Sequence, residues 1–409
     1  MRTVISGGVV FDGTGAAPAA ADVVVDDDTG RIVDVGAGLD GDRAVDVGGR
    51  GVLPGLIDAH VHVVVSHFDL VRSLEMPFSL QFYEAAANLA TTLALGITTV
   101  RDAGGADLGV KAAVERGMIP GPRMQVSLSM LSQTGGHGDD WMVCGSRIPW
   151  LLAAHPGRPP AVVDGPDEMR QRVRQLVAMG ADVIKVATSG GVLSPGTDPR
   201  RAQFRPLELD VLVEEATAAG RFVMAHATAV DGVKNAVRAG IRSVEHGIFL
   251  DDEAISLMLD RGTWLVPTLL APQGVLDAAA GGASIPEEMV RKAGDVVAEH
   301  RASFARAVSA GVKIAMGTDC PVSPHGTNLG ELALMVEGGL SGAEALVAAT
   351  SSAASLLGVG DSLGRLAPGL VADVVVVDGA PDDVAGLADR VYSVWKDGTE
   401  VVSRSAPAD

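Results

Sequence analysis

"GLIDAHVHV", residues 55–63, is the stretch on which the reading of this chain turns. Leu56, Ile57, Ala59, Val61 and the valines at 63–65 form an apolar, largely β-branched run that opens after Pro54-Gly55, the pattern of a buried strand. Asp58, His60 and His62 are set into it, and because successive strand side chains point to opposite faces, these three share one face. A lone inward histidine is ordinarily a hydrogen-bonded core residue. Two at this spacing present two imidazoles to one point, which suits a metal.

Working outward, candidate strands recur at 97–104, 123–131, 181–188, 221–228, 241–248, 263–269 and 312–319. Helix-length segments lie between most of them, and several, such as "MRQRVRQLVAMG" and "AVDGVKNAVRAG", end in the Gly of a C-cap. Eight strands with crossover helices predict an α/β fold: an eight-stranded parallel (β/α)8 TIM barrel over residues 56–360. The two ends read differently. Residues 1–55 and 361–409 carry short strands and turn signals such as Asp12-Gly13 and Thr29-Gly30, which predicts one composite β-sandwich domain closed by both termini.

With 409 residues and 47% hydrophobic content, the chain can bury a core of that size. A net charge of −19 with no run of Lys and Arg argues against a nucleic-acid partner. The N-terminus shows no signal-peptide pattern, and "AAANLATTLALGITTV", the most apolar long segment, is too short and too interrupted to span a bilayer. Cys144 and Cys320 belong to no CxxC pair, which suits a reducing cytoplasm and excludes a disulfide scaffold or a cysteine-rich zinc site.

Barrel chemistry sits at the C-terminal ends of the strands. There this sequence offers His60 and His62 on strand 1, Lys185 on strand 4, His226 on strand 5, His246 on strand 6 and Asp319 on strand 8. Lys185, flanked by apolar residues in "DVIKVATSGG", must be paired, neutral or chemically altered if buried. Imidazole and carboxylate donors converging in this way suit zinc and similar divalent ions. Alternation predicts that Glu245, next to His246, faces the helix layer. Cys320 reads as a small packing residue, and His67, His155 and His300 as surface or packing residues. The connection 132–165 is unusually long; with Trp141 and Trp150 it reads equally as a self-packed surface loop or as a wall over the barrel mouth.

"PGLIDAHVH", "TTVRDAGG", "TGGHGD", "VIKVATSGGVLSP", "AHA", "VEHG", "GTD", "PHGTNLGEL" and "GRLAPGLVADVVVVDG" occur in an order that resembles the amidohydrolase superfamily, in its imidazolonepropionase-related and Xaa-Pro dipeptidase (prolidase)-like branch. The resemblance spans nearly the whole chain. It implies a barrel with a composite β-sandwich and a binuclear metal centre: one ion on His60, His62 and Asp319, a second on His226 and His246, and a carboxylated Lys185 bridging both. Two divalent ions, with zinc the first choice, would lower the pKa of a bridging water so that hydroxide exists near neutral pH, and Asp319 would pass its proton to the leaving nitrogen. His137 and His325, in loops after strands 3 and 8, Arg101 at the end of strand 2, and the backbone of Gly190 and Gly191 are candidate substrate contacts; Arg101 equally suits pairing with a barrel carboxylate, and the glycines a tight turn.

The expected activity is hydrolysis of an amide C–N bond, of a dipeptide or N-acyl amino acid first, by a cytoplasmic homo-oligomer acting on a small molecule. Several peptide-cleaving relatives have a tyrosine two residues after the strand 5 histidine, where this chain has Thr228. Aryl amides, phenylureas, carbamates, lactams and lactones are the alternative substrates. A non-catalytic assembly protein is disfavoured because all six ligand positions are filled, and a deaminase or mononuclear relative because Lys185 is present.

Overall fold

The computed structural model describes residues 1–142, 144–149 and 151–404. Eight parallel strands surround the barrel axis: Leu56–Val61, Ile97–Asp102, Arg123–Val126 resumed at Met130–Leu131, Val183–Ala187, Phe222–Ala227, Ser243–His246, Trp264–Val266 and Lys313–Ile314. They form two hydrogen-bonded runs, one of three strands and one of six. The interrupted third strand contributes to both runs. The circle closes where Ala59 N donates to Met316 O at 2.9 Å and Val61 bridges Cys320. The result is a distorted barrel with helices such as Leu80–Ala94, Pro166–Ala178, Pro206–Ala218 and Val230–Ala239 on its outside.

Local chemistry sets these elements. Asp107 and Asp251 accept the N–H groups of Val110 and Ala254 and so start their helices, while Gly240 and Gly311 stop theirs at φ 91° and 83°, where a side chain would be strained. Valine, leucine and isoleucine on the outer strand faces join the inner faces of the helices in one continuous core.

The barrel strands are shorter than the sequence predicts, and the last is only Lys313–Ile314. Beyond it the backbone turns to carry functional groups: His246, Thr268 and Asp319 lie at φ 70°, 52° and 59°, left-handed values that only a strongly determined surrounding holds in non-glycine residues.

Strands from both ends of the chain build a second, mixed sheet. Its order runs Thr399–Ser403, Val391–Lys396, Val374–Val377, Gly51–Pro54, Arg2–Val10, Ala19–Asp26, Arg31–Gly36, with Arg43–Asp46 also on Arg2–Val10. Ile5, Val23, Val25, Val52, Val374 and Trp395 form its own core. Only Gly55 separates Gly51–Pro54 in this sheet from Leu56–Val61 in the barrel. A Cβ there would stand 2.2 Å from Thr98 Oγ1, so no other residue fits the crossing.

Candidate metal centre

Six groups expected at the strand ends converge on one cavity of about 480 Å³: His60, His62, Lys185, His226, His246 and Asp319 all line it. Asp319 Oδ1 lies 3.3 Å from His60 Nε2 and 3.2 Å from His62 Nε2. The ligand atoms of these three residues fall within 4.8 Å of one another, a metal-ligating triad. Lys185 Nζ is 3.5 Å from His60 Nε2, and the His246 ring centroid is 5.2 Å from that of His60 and 4.7 Å from that of His226.

The other ring nitrogens explain why these imidazoles face inward. Nδ1 of His60 donates to Glu245 Oε2 at 2.7 Å, and Nδ1 of His62 to the Gly104 carbonyl at 2.8 Å. Nδ1 of His246 is 2.7 Å from Thr268 Oγ1, and Nε2 of His226 is 3.1 Å from the Gly190 carbonyl. Each ring is thereby fixed with one nitrogen held from behind and one left for a ligand, the hallmark of metal-binding histidines. The donor set fits divalent metal.

Electrostatics point the same way. Burial holds His226 and His246 well below the usual histidine range, in His246 against the pull of Asp319, so they are neutral and able to ligate. Burial opposes ionisation of Asp319, but the charges and hydrogen bonds of His60 and His62 outweigh it and keep its carboxyl well below the usual range. Burial pushes Lys185 down to about 8, although Glu245 and Asp319 pull it upward.

Glu245 does not face the helix layer. It is fully buried inside the barrel, where it accepts from His60 Nδ1, from Arg101 Nη2 at 3.0 and 3.2 Å and from Ser243 Oγ at 2.5 Å. Alternation holds for Ser243 and Glu245; His246 breaks it, because its positive φ turns the side chain back over the mouth. Burial would raise Glu245, yet Arg101 and His60 bring it down to about 2.

Arg101 is therefore a barrel counter-ion rather than a substrate contact. It is 2% exposed, and Nε donates to the Ala59 carbonyl at 2.7 Å. The Gly190 and Gly191 N–H groups are likewise spent within the chain, on Arg201 O at 3.0 Å and Thr197 Oγ1 at 3.3 Å, so the tight turn describes them and the substrate role does not. Both must be glycine: a Cβ on Gly190 would meet Asp198 O at 2.3 Å, and one on Gly191 would meet the His137 ring at 2.2 Å.

His137 does reach the cavity, stacked on His226 at 4.1 Å with Nδ1 2.9 Å from Ser194 Oγ. Burial brings it down to about 4. His325 instead points its Nε2 at the Val65 carbonyl, 3.3 Å away, and does not line the cavity. His300, read as a packing residue, is more than that: from the long helix Glu287–Ala310 it lines the cavity and holds the His246 carbonyl through Nε2 at 3.0 Å. Cys320 is buried, which raises its thiol well above the ordinary range and leaves it a packing group.

The 132–165 connection supplies one wall of the cavity, through Trp141, Leu151, Leu152 and Arg158 among others. Trp150, its second tryptophan, lies outside the described residues.

The Amidohydrolase family model matches residues 52–401. The chain belongs to the amidohydrolase superfamily. Within this superfamily it is 34% identical to ochratoxinase of Aspergillus niger over 363 residues, 85% of this chain and 75% of that protein. It is similar to a prolidase solved in complex with N-methylphosphonate-L-proline, at 37% identity and TM-score 0.90, covering 99% of this chain and 100% of that one. It is also similar to a Xaa-Pro dipeptidase with methionine in its active site, at 33% identity and TM-score 0.89, covering 98% and 99%. The imidazolonepropionase of Rhizorhabdus wittichii is 28% identical over 388 residues, 87% of this chain and 88% of that protein. These likenesses and the His60–His62–Asp319 triad identify a metal-dependent hydrolase of the prolidase- and imidazolonepropionase-related branch. No helix among the described residues is long and apolar enough to cross a membrane.

Proposed function

We propose that the protein is a binuclear amidohydrolase that cleaves the amide C–N bond of an apolar N-acyl amino acid or dipeptide. The convergence of Lys185, His226 and His246 with the His60–His62–Asp319 triad on one cavity carries this reading. His60, His62 and Asp319 would hold one ion, His226 and His246 a second, and Lys185, carboxylated by CO₂ with loss of a proton, would bridge them. A lysine brought down to about 8 keeps a fraction of free amine at neutral pH for that reaction. When bound, the ions supply Lewis acidity and lower the pKa of a water toward neutrality; zinc suits these donors best.

The chain's own groups do the rest. Asp319, held ionised, accepts the proton of the attacking water and returns it to the leaving nitrogen. His137, neutral and engaged at Nδ1, keeps Nε2 for the oxygen that gains charge during attack. The apolar walls Val65, Phe68, Leu151 and Leu152 suit an apolar side chain on the substrate. The amidase reading also draws on the ochratoxinase and prolidase likenesses.

Metal content per chain, measured together with hydrolysis of a panel of dipeptides and N-acyl amino acids, tests the proposal. Two metals with cleavage of panel members is the expected result. Two metals without cleavage would move the substrate to aryl amides, ureas, carbamates, lactams or lactones, and fewer than one, not restored by zinc and bicarbonate, would overturn the centre. We further infer a homo-oligomer, supported by exposed apolar side chains at Val71, Leu74, Phe78 and Tyr83, and a reducing, cytoplasmic setting, supported by two free cysteines.

A further inference from the structure

Arg158 sits on the 132–165 connection and lines the same cavity as the metal-ligating triad. It is only 9% exposed. Its Nη2 donates to the Ala153 carbonyl and, at 3.4 Å, to Gln81 Oε1. Nε and Nη1 are buried with no hydrogen-bond partner, and among the described residues no carboxylate forms an ion pair with it. Burial lowers this guanidinium to about 10, so it remains charged at neutral pH.

A buried cation with two unsatisfied donors is costly, and folded chains ordinarily neutralise such a group. Apart from Lys185, which belongs to the metal centre, Arg158 is the one Lys or Arg among the described cavity-lining residues. Leu151 and Leu152 line the cavity from the same segment; Asp102 and Asp107 pull on the charge from a distance, but neither forms an ion pair with it among the described residues. Strand 5 offers no alternative anchor. Thr228 has its hydroxyl already within 2.9 Å of both the Gly190 carbonyl and Ser189 Oγ and bonded to the Pro199 carbonyl.

We propose that Arg158 is the specificity residue for a free carboxylate on the substrate: the protein hydrolyses amides that carry a carboxylate beside an apolar group, and the anchor stands on the strand 3 connection. This rests on the amidohydrolase reading above and narrows its substrate class. An incoming carboxylate would draw the guanidinium round so that Nε or Nη1, both buried at the cavity wall, turns to it in a charge-assisted hydrogen bond, whereas a neutral carboxamide offers the charge no such partner.

The test compares the metal-loaded wild type with Arg158→Gln and Arg158→Lys on matched pairs: N-benzoyl-L-phenylalanine and apolar dipeptides against their C-terminal amides. The wild type is expected to favour the acids by about 10- to 100-fold in kcat/KM. In R158Q that preference collapses, chiefly through KM, because the lost contact exists in ground and transition state alike. R158K restores part of it. In parallel, calorimetry measures phenylacetate against phenylacetamide, a comparison independent of turnover; the expected preference for phenylacetate falls by a similar factor in R158Q.

Equal rates on acid and amide by the wild type, or a preference that R158Q leaves unchanged, overturns the role of Arg158; the latter would assign the carboxylate to the metal. Should no panel member be cleaved, the dipeptide and N-acyl amino acid reading fails, and the phenylacetate comparison still decides Arg158. Should R158Q not fold, the wild-type ratio and a several-fold loss in R158K decide it.

Discussion

Each of the four histidines expected to bind metal has its rear nitrogen held: His60 by Glu245, His62 by Gly104, His246 by Thr268 and His226 by Gly190. Across the same cavity, the 132–165 wall presents Trp141, which is 51% exposed, and Arg158, two of whose nitrogens have no partner. The first region is satisfied by the protein alone and presents fixed donors. The second leaves donors that no group among the described residues accepts. Groups that perform chemistry gain from rigid strand ends with locked partners, while groups that select a substrate can stand on a connection free to differ between relatives.

The contrast should show most strongly at Asp319. Asp319→Asn keeps the shape of the side chain and removes the proton acceptor, so kcat should fall by about 10²- to 10⁴-fold. Kinetics on metal-loaded enzyme with metal content measured alongside would check it, and retained turnover would remove Asp319 from the proton path. Glu245→Gln attacks the rear of the same face. It leaves Arg101 buried without its counter-charge, which should cost about 3–5 kcal/mol of stability in denaturant titrations, and it loosens His60, lowering metal affinity by about 10- to 100-fold.

The pH dependence of that loss has a defined sign. Glu245 is depressed from 4.5 to about 2 in the folded protein, so its contribution is complete above 4.5 and disappears as pH falls toward 2. Stability curves of wild type and E245Q should therefore converge on acidification, and parallel curves would contradict the assignment. The smallest effect belongs to the wall. Trp141→Ala should change stability by no more than about 0.5 kcal/mol, because the side chain is half-exposed, and should alter KM only for bulky apolar substrates. A loss of metal in W141A would erase the distinction between the two regions.

Much of the metal face was legible because strand alternation is a local rule. His60 and Asp58 obey it, and the apolar flanks of Lys185, His226 and His246 already marked them as misplaced unless they had a partner. The rule failed where the strand stopped. Alternation sends Glu245 outward only if His246 is the next regular strand position, whereas the His246 backbone turns left-handed and both side chains end up inside. His300 carries no local signal, since it reaches the His246 carbonyl from 54 residues further along the chain only through tertiary packing. Arg158 was invisible for a related reason: a connection without periodicity gives no clue to which of its charges will be buried.

Gly55 is the single residue between the Gly51–Pro54 strand of the terminal sheet and the first strand of the barrel. The last sheet residue before it, Pro54, pairs with Val374 near the C-terminal end, and the first barrel strand beyond it carries the His60–His62 pair. The terminal sheet is thus a clamp on the root of the metal-binding strand. Fraying of Val374–Val377 should therefore loosen the strand that carries the imidazoles. By mass action the linkage runs the other way as well, so an ion held at the barrel mouth draws tight a distant sheet that never touches it.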